Sequence, residues 1–367
     1  MKIIILIFPN LDPALVTNIG SLAERLEYEI TGFVSFDQNE TLTAIKNYPV
    51  YPMLDIYDLS WDVAIYADSD ENFQSILPRL VKLQMGKAEQ FKNINWLLQQ
   101  FMIKKYEDFN DSAIQATLKY WRKHELSVFN QHIDPKKYTV DKVFFDDDLP
   151  YINFKTVSGT AHKMYFPKDY EFNDINGEKF VAGLLMEQQS TSPHLYIKGS
   201  HKINAGDIVI DAGVCEGNFV LRYIDLCSKM YLFEPDEQWQ EPLRRTFEVF
   251  GDKVEIIPKF VSNITDGKNI TIDDALPDLR GENIFLKMDV EGAEPLALQG
   301  AKRILTNNKV RASVCTYHFA NDLVKVKSIF QDYGFKTSTS AGYMVFLWDP
   351  NIWNTADFRK GIVYAEN

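Results

Sequence analysis

The segment at residues 206–234 constrains the fold of this chain more than any other part of the sequence. It begins with a short apolar run at residues 208–210, rich in β-branched side chains, which is typical of a strand buried on both faces. Asp211 ends this run, and two glycines follow in the spacing D-x-G-x-x-x-G. Apolar residues at helical spacing come next, and a second strand ends at Glu234. This order of strand, turn, helix and strand predicts an α/β domain with a parallel sheet.

The glycine turn predicts a nucleoside site at the carboxyl edge of that sheet. Gly213 allows a sharp turn because it has no Cβ, and Gly217 lets the following helix approach a ligand closely. Glu234 lies 23 residues after Asp211, near the point where a βαβ unit places the acid that binds ribose hydroxyls. The dinucleotide pattern G-x-G-x-x-G is absent from the turn. The alternative interpretation is an ordinary βαβ turn followed by a surface glutamate.

Composition limits the class of protein. A chain of 367 residues predicts two domains, and the hydrophobic content of 46% and charged content of 25% are those of a globular protein with an ample core. The net charge of −12 disfavours nucleic acid as a partner, although a local basic pocket remains compatible with it. The three cysteines, Cys215, Cys227 and Cys315, cannot all pair, which predicts a reduced, cytoplasmic setting.

The apolar start of the chain, residues 3–8, is too short for a membrane span. It leads directly into Pro9 without the small residues of a cleavage site, so we expect a first strand and neither a signal peptide nor a membrane span.

Residues 1–80 predict a small α/β domain, with strands at 2–8, 29–36, 48–52 and 61–67 and a helix at 14–27. This order, with the segments G-F-V-x-x-D and Y-P-V-Y, resembles the half-Rossmann domain at the front of sugar-modifying enzymes and nucleotide-sugar epimerases. The glycine-rich turn after the first strand is missing, and residues 8–13 read F-P-N-L-D-P instead. Without glycines the backbone cannot wrap a pyrophosphate closely, so we expect no dinucleotide and a structural or substrate-positioning role.

Four further segments complete the predicted domain organisation. Residues 81–140 have a helical composition and predict a connector that packs the domains together, with a homodimer interface as the alternative. Residues 141–202 alternate aromatics with turn residues, which predicts a lead-in of short antiparallel strands. Its end, residues 186–196, either lines the mouth of the site or forms a solvated loop, and it supplies Glu187 and His194 as substrate-binding candidates. Residues 203–350 form the core of the domain that spans 141–350, and 351–367 a C-terminal tail.

Within the core, strands at 254–257, 284–288 and 310–316 alternate with helices. A hairpin predicted from residues 335–339 and 343–348 would add an antiparallel strand to the parallel sheet. Counted from the strand at 208–210, the strand at 284–288 is the fourth of the core and leads into K-M-D-V-E-G-A-E at residues 287–294. The strand at 310–316 is the fifth and carries Tyr317 and His318 at its end.

Five motifs give this chain a family resemblance: D-A-G-V-C-E-G-N, Y-L-F-E-P-D, T-I-D-D, K-M-D-V-E-G-A-E-P-L-A-L-Q-G-A and C-T-Y-H. Residues 185–348, which contain them, resemble the FkbM family of S-adenosylmethionine (SAM) dependent methyltransferases, and D-x-G-x-x-x-G resembles motif I of such enzymes. The resemblance implies a class I, Rossmann-like seven-stranded α/β sheet with an antiparallel last strand. It also implies SAM as cofactor, S-adenosylhomocysteine (SAH) as product, and methylation of an oxygen on a sugar, a polysaccharide precursor or a secondary metabolite. One departure is Cys215-Glu216, where many relatives have Ala-Asn.

The cofactor site predicted on this basis has several roles to fill. We expect Asp211 to order the turn and the methionine moiety, and Glu234 to accept hydrogen bonds from the ribose. The family resemblance implies that Val261 and Ser262 flank the adenine. The full predicted set is Asp211, Gly213, Cys215, Glu216, Gly217, Asn218, Glu234, Val261, Ser262 and Asp289.

A hydroxyl acceptor requires alignment and a base that takes its proton. His318, at the end of the fifth strand, is the predicted base, with Asp289 beside the transferred methyl group, and Asp289 or Glu291 either orients it or takes over its role. A structural histidine at the strand end is the alternative. Lys287 is predicted as an ion-pair partner of Glu291 and Glu294 and as a further substrate-binding candidate. Asp289, Glu291, Glu294 and His318 together offer ligands for Mg²⁺, an alternative to the predicted metal-free site.

Three functions follow from these patterns. The leading hypothesis is methyl transfer to a hydroxyl of a small-molecule or glycan acceptor. A nucleotide-sugar oxidoreductase or epimerase that uses residues 1–80 is the second, and the missing glycine turn opposes it. A non-catalytic assembly protein is the third, and the intact motif residues from Asp211 to Asp289 oppose it.

Overall fold

A computed structural model describes residues 1–7, 13–36, 44–67, 70–82, 87–129, 143–170 and 186–367. The chain divides into two compact units, one formed by residues 1–127 and 350–357 and the other by residues 128–349 and 358–367. The predicted front loop at residues 8–12, the end of the connector at 130–140 and parts of the lead-in at 141–142 and 171–185 lie outside the described residues.

The first unit is built on a mixed sheet. Its strands are β1 (Lys2–Ile7), β2 (Glu29–Ser35), β3 (Ala44–Ile45), β4 (Tyr48–Pro52), β5 (Val63–Tyr66) and β6 (Phe91–Asn93). The order is β3-β4-β2-β1-β5-β6, and every pair is parallel except β3 with β4. The run I-I-I-L-I of β1 is buried throughout, because this strand lies inside the sheet with neighbours on both sides.

Five α-helices accompany this sheet in the described part of the first unit: α1 (Pro13–Arg25), α2 (Asp70–Lys82), α3 (Ile94–Tyr106), α4 (Ser112–Trp121) and a short helix at Ile352–Thr355. Asn93 and Asp111 cap α3 and α4 by accepting hydrogen bonds from backbone amides of the first turn. The buried Gln99 amide donates to the carbonyls of Trp121 and His124 at 2.6 and 2.7 Å, which ties α3 to the end of α4. Residues 87–127, predicted as part of a connector, are therefore packed within the first unit.

The second unit contains a small antiparallel sheet and a large sheet. The small one, β7 (Phe144–Asp146), β8 (Leu149–Lys155) and β9 (Ala161–Tyr165), occupies the predicted lead-in. The large one comprises β10 (Ile208–Ala212), β11 (Lys229–Phe233), β12 (Val254–Ile257), β15 (Asn283–Met288), β16 (Lys309–Cys315), β17 (Lys336–Thr339) and β18 (Ile362–Glu366). Between β12 and β15 lies the short pair β13 (Phe260–Val261) and β14 (Asn269–Ile270).

The large sheet has the order β12-β11-β10-β15-β16-β18-β17. All pairs are parallel except those of β18, which runs antiparallel to both β16 and β17. The predicted class I fold, a seven-stranded sheet whose last strand is antiparallel, is confirmed by this topology. Helices α5 (Asn218–Tyr223), α6 (Glu237–Phe247), α7 (Ile272–Ala275), α8 (Glu294–Gln299), α9 (Lys302–Asn307) and α10 (Asp322–Asp332) connect the strands.

The position of the antiparallel strand corrects the sequence prediction. Residues 343–348 were expected to form it, whereas the strand is β18, within the predicted C-terminal tail at 351–367. The apolar run I-V-Y-A of β18 is buried between two strands, which a short exposed tail could not achieve. Residues 343–348 lie outside the sheet, and Met344 forms an isolated antiparallel bridge with Arg359. The prediction that residues 335–339 pair with 343–348 was wrong. The chain between β17 and β18 is longer, because it includes residues 350–357 of the first unit.

Because β10, β11, β15 and β16 are parallel, their carboxyl ends meet at one edge of the large sheet. The loops after these four strands carry most of the predicted site residues. Among the described residues, no helix is both long and apolar enough to cross a bilayer.

Candidate functional site

The turn after β10 fits tightly against the loop after β15. Gly213 has φ +79°, and a Cβ at this position would lie 1.7 Å from the carbonyl oxygen of Asp289. Backbone hydrogen bonds from Gly213 to Phe233 and from Asp289 to Ala212, each 2.9 Å, lock the three loop origins together. The glycine is therefore required both by its backbone conformation and by the closeness of its neighbour.

Replacing this glycine tests the tight fit. Gly213→Ala should lower the free energy of unfolding by at least about 1–3 kcal/mol, since the left-handed backbone alone costs that much and the Cβ collision adds to it. Gly267→Ala is the matched control, because Gly267 has no atom within 4 Å of an added Cβ and should change stability by less than about 0.5 kcal/mol. Urea unfolding measures the free energy of unfolding of both variants. Equal values would show that the loop after β15 moves away from the added Cβ at little energetic cost.

Glu234 braces the turn from the next strand. Its buried carboxylate accepts a hydrogen bond from the Cys215 amide at 2.8 Å through Oε2 and one from the Asp236 amide at 2.9 Å through Oε1. An ionised carboxylate offers about four acceptor positions, so capacity remains for hydroxyl donors in the adjacent cavity.

Asp211 and Lys287 form a buried ion pair beneath the turn, with Oδ1 and Nζ 3.0 Å apart. The Lys287 ammonium also donates to the carbonyl of Gly213. Burial raises the pKa of Asp211 to about 6 despite the lysine, while the charges of Asp211 and Asp289 outweigh burial and raise the pKa of Lys287. The prediction that Lys287 pairs with the acids of the next loop is therefore wrong. Asp211 and Lys287 are register partners on adjacent strands, so their side chains leave the same face of the sheet.

A cavity of about 730 Å³ opens at this edge of the sheet, within the second unit. It is lined by most of the predicted cofactor residues, namely Gly213, Cys215, Glu216, Asn218, Glu234, Val261 and Asp289. All three substrate-binding candidates line it as well: Glu187, His194 and Lys287. Asp211, Gly217, Ser262 and the predicted base His318 do not line this cavity, whereas Glu291 does.

Asp289 is the centre of a hydrogen-bonded cluster at the floor of the cavity. Its Oδ2 accepts a hydrogen bond from the hydroxyl of Tyr196 at 2.8 Å, and its Oδ1 accepts one from Tyr317 at 3.1 Å. His194 Nε2 lies 3.2 Å from Oδ2, and His318 Nε2 lies 3.5 Å from Oδ1. Burial acts to raise the pKa of Asp289, but the two histidines and Lys287 hold it well below its usual range. The carboxylate is thus ionised and held by donors on several sides.

His194 lies between two carboxylates, with Nε2 facing Asp289 and Nδ1 3.4 Å from Glu187 Oε2. Burial acts to lower its pKa, but the contacts with Asp289 and Glu187 outweigh this and raise the pKa to about 9. The sequence offered residues 186–196 as either a site mouth or a solvated loop, and the first alternative describes the position of His194.

His318 lies on the other side of Asp289, with only 2% of its side chain exposed. Its Nδ1 is 3.1 Å from the buried Glu294, and its Nε2 is 3.4 Å from Glu291. Burial acts to lower the pKa of His318, but these carboxylates outweigh it and raise the pKa. Asp289, Glu294 and His318 are close enough to share a metal ion, as are His194, Asp289 and Cys315.

Sequence reasoning missed Tyr196 and Tyr317, which hold Asp289. Tyr196 is two residues from His194, which is the spacing of side chains on one face of an extended segment, and Tyr317 precedes His318 directly. Sequence reasoning also did not predict the left-handed backbone conformation of two loop residues. Cys215 and Glu291 have φ values of 51° and 53°, which residues other than glycine rarely adopt. Such conformations cluster at functional sites, and both lie in loops that line the cavity.

Comparison with known proteins bears on this arrangement. Residues 245–337 match the family model of the methyltransferase FkbM domain. The predicted resemblance to the FkbM family is confirmed. The FkbM match includes Asp289, Glu291 and His318, whereas the glycine turn and Glu234 precede it. The half-Rossmann resemblance of residues 1–80 stays a prediction.

Several solved structures are similar to this chain at low identity. A methyltransferase FkbM from Methylobacillus flagellatus is 13% identical with a TM-score of 0.42, over 99% of this chain and 89% of that one. A precorrin-6y C5,15-methyltransferase from Geobacter metallireducens is 12% identical with a TM-score of 0.31, over 46% of this chain and 85% of that one. The Streptococcus mutans protein SMU.1697c, in complex with SAH, is 17% identical with a TM-score of 0.30, over 46% and 94%. No curated protein sequence matches the chain.

Proposed function

We propose that this chain is a SAM-dependent methyltransferase that methylates a hydroxyl oxygen of a sugar or a glycan precursor. The observation that carries the proposal is the joining, in one cavity, of a nucleoside-type turn with a cluster of proton-accepting groups around Asp289. The family match over residues 245–337 supports methyl transfer. The sugar acceptor rests on the resemblances of the sequence.

The residues of the turn fit the proposed cofactor, which supplies a methyl group on a positively charged sulfur when bound. Glu234 would take the ribose hydroxyls, and Val261 would lie beside the adenine. Glu216, buried at the turn, would hold the ammonium group. Burial, with the charge of Glu187, raises the pKa of Glu216 to about 7, so a cationic partner would favour its ionised form. Asp211 acts indirectly, because it fixes Lys287 and through it the carbonyl of Gly213.

For the acceptor proton, we propose His194 as the base and Asp289 as the group that orients it. Both rings are buried, with side-chain exposures of 4% for His194 and 2% for His318, but His194 lines the cavity, whereas His318 lies against Glu294 on the far side of Asp289. His318 is then a positioning residue that acts through Asp289. Neutral imidazole is required for proton acceptance, and a positive charge in the cavity lowers the pKa of His194 and increases that form.

One titration separates the three functions considered from the sequence. The purified full-length chain is titrated with SAM, SAH and NAD in a calorimeter. We expect SAM and SAH to bind and NAD to give no heat of binding. Binding of NAD alone would favour the oxidoreductase, and binding of none of the three would favour the assembly protein.

Removing the ribose acceptor should weaken cofactor binding. Glu234→Ala is expected to lose roughly 1.5–3 kcal/mol of SAM binding, the usual worth of hydrogen bonds to a charged group, or about 10- to 150-fold in affinity. Glu234→Gln, which keeps the shape and part of the accepting capacity, should lose less. Glu255→Ala, at an exposed carboxylate on β12, serves as control. Since Glu234 also braces the turn, thermal unfolding must show each variant folded, and unchanged SAM affinity in Glu234→Ala would remove this residue from the site.

A further inference from the structure

We infer that the acceptor extends beyond the methylated unit and that a row of aromatic side chains binds its second sugar ring. The row consists of Tyr317, Phe346 and Trp348, and it is called the aromatic row below. The inference rests on the proposed function and adds to it the length and chemical character of the acceptor.

The aromatic row leads from the Asp289 cluster to the protein surface. Ring centroids are 5.1 Å apart between Tyr317 and Phe346 and 5.4 Å apart between Phe346 and Trp348. Exposure increases along the row, since Tyr317 is 7% exposed, Phe346 is half-buried and Trp348 is 71% exposed. All three side chains line the cavity, and the Tyr317 hydroxyl binds Asp289. A ligand that follows the row therefore begins at the proposed base and ends at solvent.

The outer part of the row stands on a firmly held segment. Met344 and Arg359 exchange backbone hydrogen bonds of 2.8 and 2.9 Å, and the Val345 amide donates to the carbonyl of Val128 at 3.3 Å. Met344 and Val345 are themselves buried. Arg359 also donates to the carbonyls of Tyr317 and His318, so the inner and outer parts of the row share one anchor. The rings are thus prearranged, which lowers the entropy cost of binding.

The chemistry around the row matches a sugar. A sugar ring has an apolar C–H face that packs on an aromatic ring and hydroxyl edges that need hydrogen-bond partners, and pockets of this kind combine apolar walls with a few polar groups. Glu187 and Gln188 line the same cavity and can pair with such hydroxyls. The cavity lining combines the carboxylates of Glu187, Asp289 and Glu291 with the ammonium groups of Lys259 and Lys287, so hydroxyl groups of a sugar meet both acceptors and donors there.

The test uses the full-length protein saturated with SAH, with uniformly ¹⁵N-labelled indole groups observed by NMR. The six tryptophan indole resonances are recorded while maltotriose, cellotriose or glucose is added, and the Trp348 resonance is assigned from its absence in Trp348→Phe. We expect a trisaccharide to shift the Trp348 resonance and to bind more tightly than glucose. Trp348→Ala lacks this resonance, so its affinity for the trisaccharide is measured by calorimetry beside the wild type. It should be weaker by about 3- to 10-fold, the scale of one aromatic packing contact, while SAH affinity stays unchanged.

Phe145→Ala is the matched control, because Phe145 is 55% exposed in the same unit but does not line the cavity. The inference is overturned if Trp348→Ala binds the trisaccharide as tightly as the wild type, or if glucose binds as tightly as the trisaccharides. It is also overturned if SAH binds and no saccharide does, including the case in which only an aliphatic alcohol such as octanol shifts the resonance. Failure of SAH itself to bind is a different result, since it contradicts the proposed function.

Discussion

Asp289→Asn should reduce methyl-transfer turnover by about 10²–10³-fold, the usual cost of removing one prearranged electrostatic group from an active site. The substitution keeps the shape of the side chain but removes its charge. The asparagine would also place its NH₂ group, a hydrogen-bond donor, against Tyr196, Tyr317 or His194. In the native cluster these three residues face the carboxylate oxygens of Asp289, which are acceptors. SAH affinity should change little, because the carbonyl of residue 289 and the turn at Gly213 are untouched. Asp278→Asn, at an exposed carboxylate away from the cavity, should behave as the wild type.

A second measurement on the same variant does not depend on the acceptor. Asp289 helps to raise the pKa of His194 to about 9, so its loss should lower that pKa, which ¹⁵N NMR of the imidazole follows during a pH titration. His201 is the internal control. Its pKa is lowered to about 4 by burial and by the charge of Arg311, and it should not respond. If the pKa of His194 stays unchanged in Asp289→Asn, then the two residues are not coupled as the distance between them implies.

Local patterns in the sequence determine where the residues of the inner part of this cavity lie, while their roles in binding and catalysis stay predictions. The turn at Gly213, the acid at Glu234 and the loop that begins at Asp289 each follow a buried strand directly, and parallel strands bring such loops to one edge. No partner at a distance in the sequence was needed to place them. The same reasoning predicted the antiparallel last strand of the fold, but not where that strand lies.

What the sequence could not predict depends on register and on long-range contacts. Lys287 pairs with Asp211 because the two are opposite on neighbouring strands, and nothing in the loop motif shows that register. The separation of β17 from β18 by residues 340–361 was not visible from hairpin spacing. The choice between two histidines is of this kind too. His318 has the better position in the sequence, at the end of a strand, whereas His194 reaches the cavity from a loop that precedes the core.

Substitution of the two histidines should therefore have unequal effects. His194→Ala should lower turnover by about 10²–10⁴-fold, the range of general-base assistance, and should keep SAH affinity. His318→Ala should lower it less, since we place that ring behind Asp289. In the wild type, the rate should rise with pH up to the pKa of His194, because only the neutral imidazole accepts a proton. That pKa is raised to about 9 in the ligand-free protein, and the positive charge of bound SAM should move the rise to lower pH. His194→Ala should lose this rise, and His318→Ala should retain it.

The opposite result for the two histidine variants would support His318, the base predicted from the sequence. If the rise with pH survives in His194→Ala and disappears in His318→Ala, the base is His318, and the buried ring must become accessible when ligands bind. If both variants keep near-normal turnover, the proton goes to Asp289 or Glu291, or to a metal-bound hydroxide. Chelation followed by addition of Mg²⁺ separates these cases, because Asp289, Glu294 and His318 lie close enough to share an ion. Loss of folding in His318→Ala, seen by thermal unfolding, would show that its contacts with the buried Glu294 are structural, and His318→Gln would then measure its effect on Asp289.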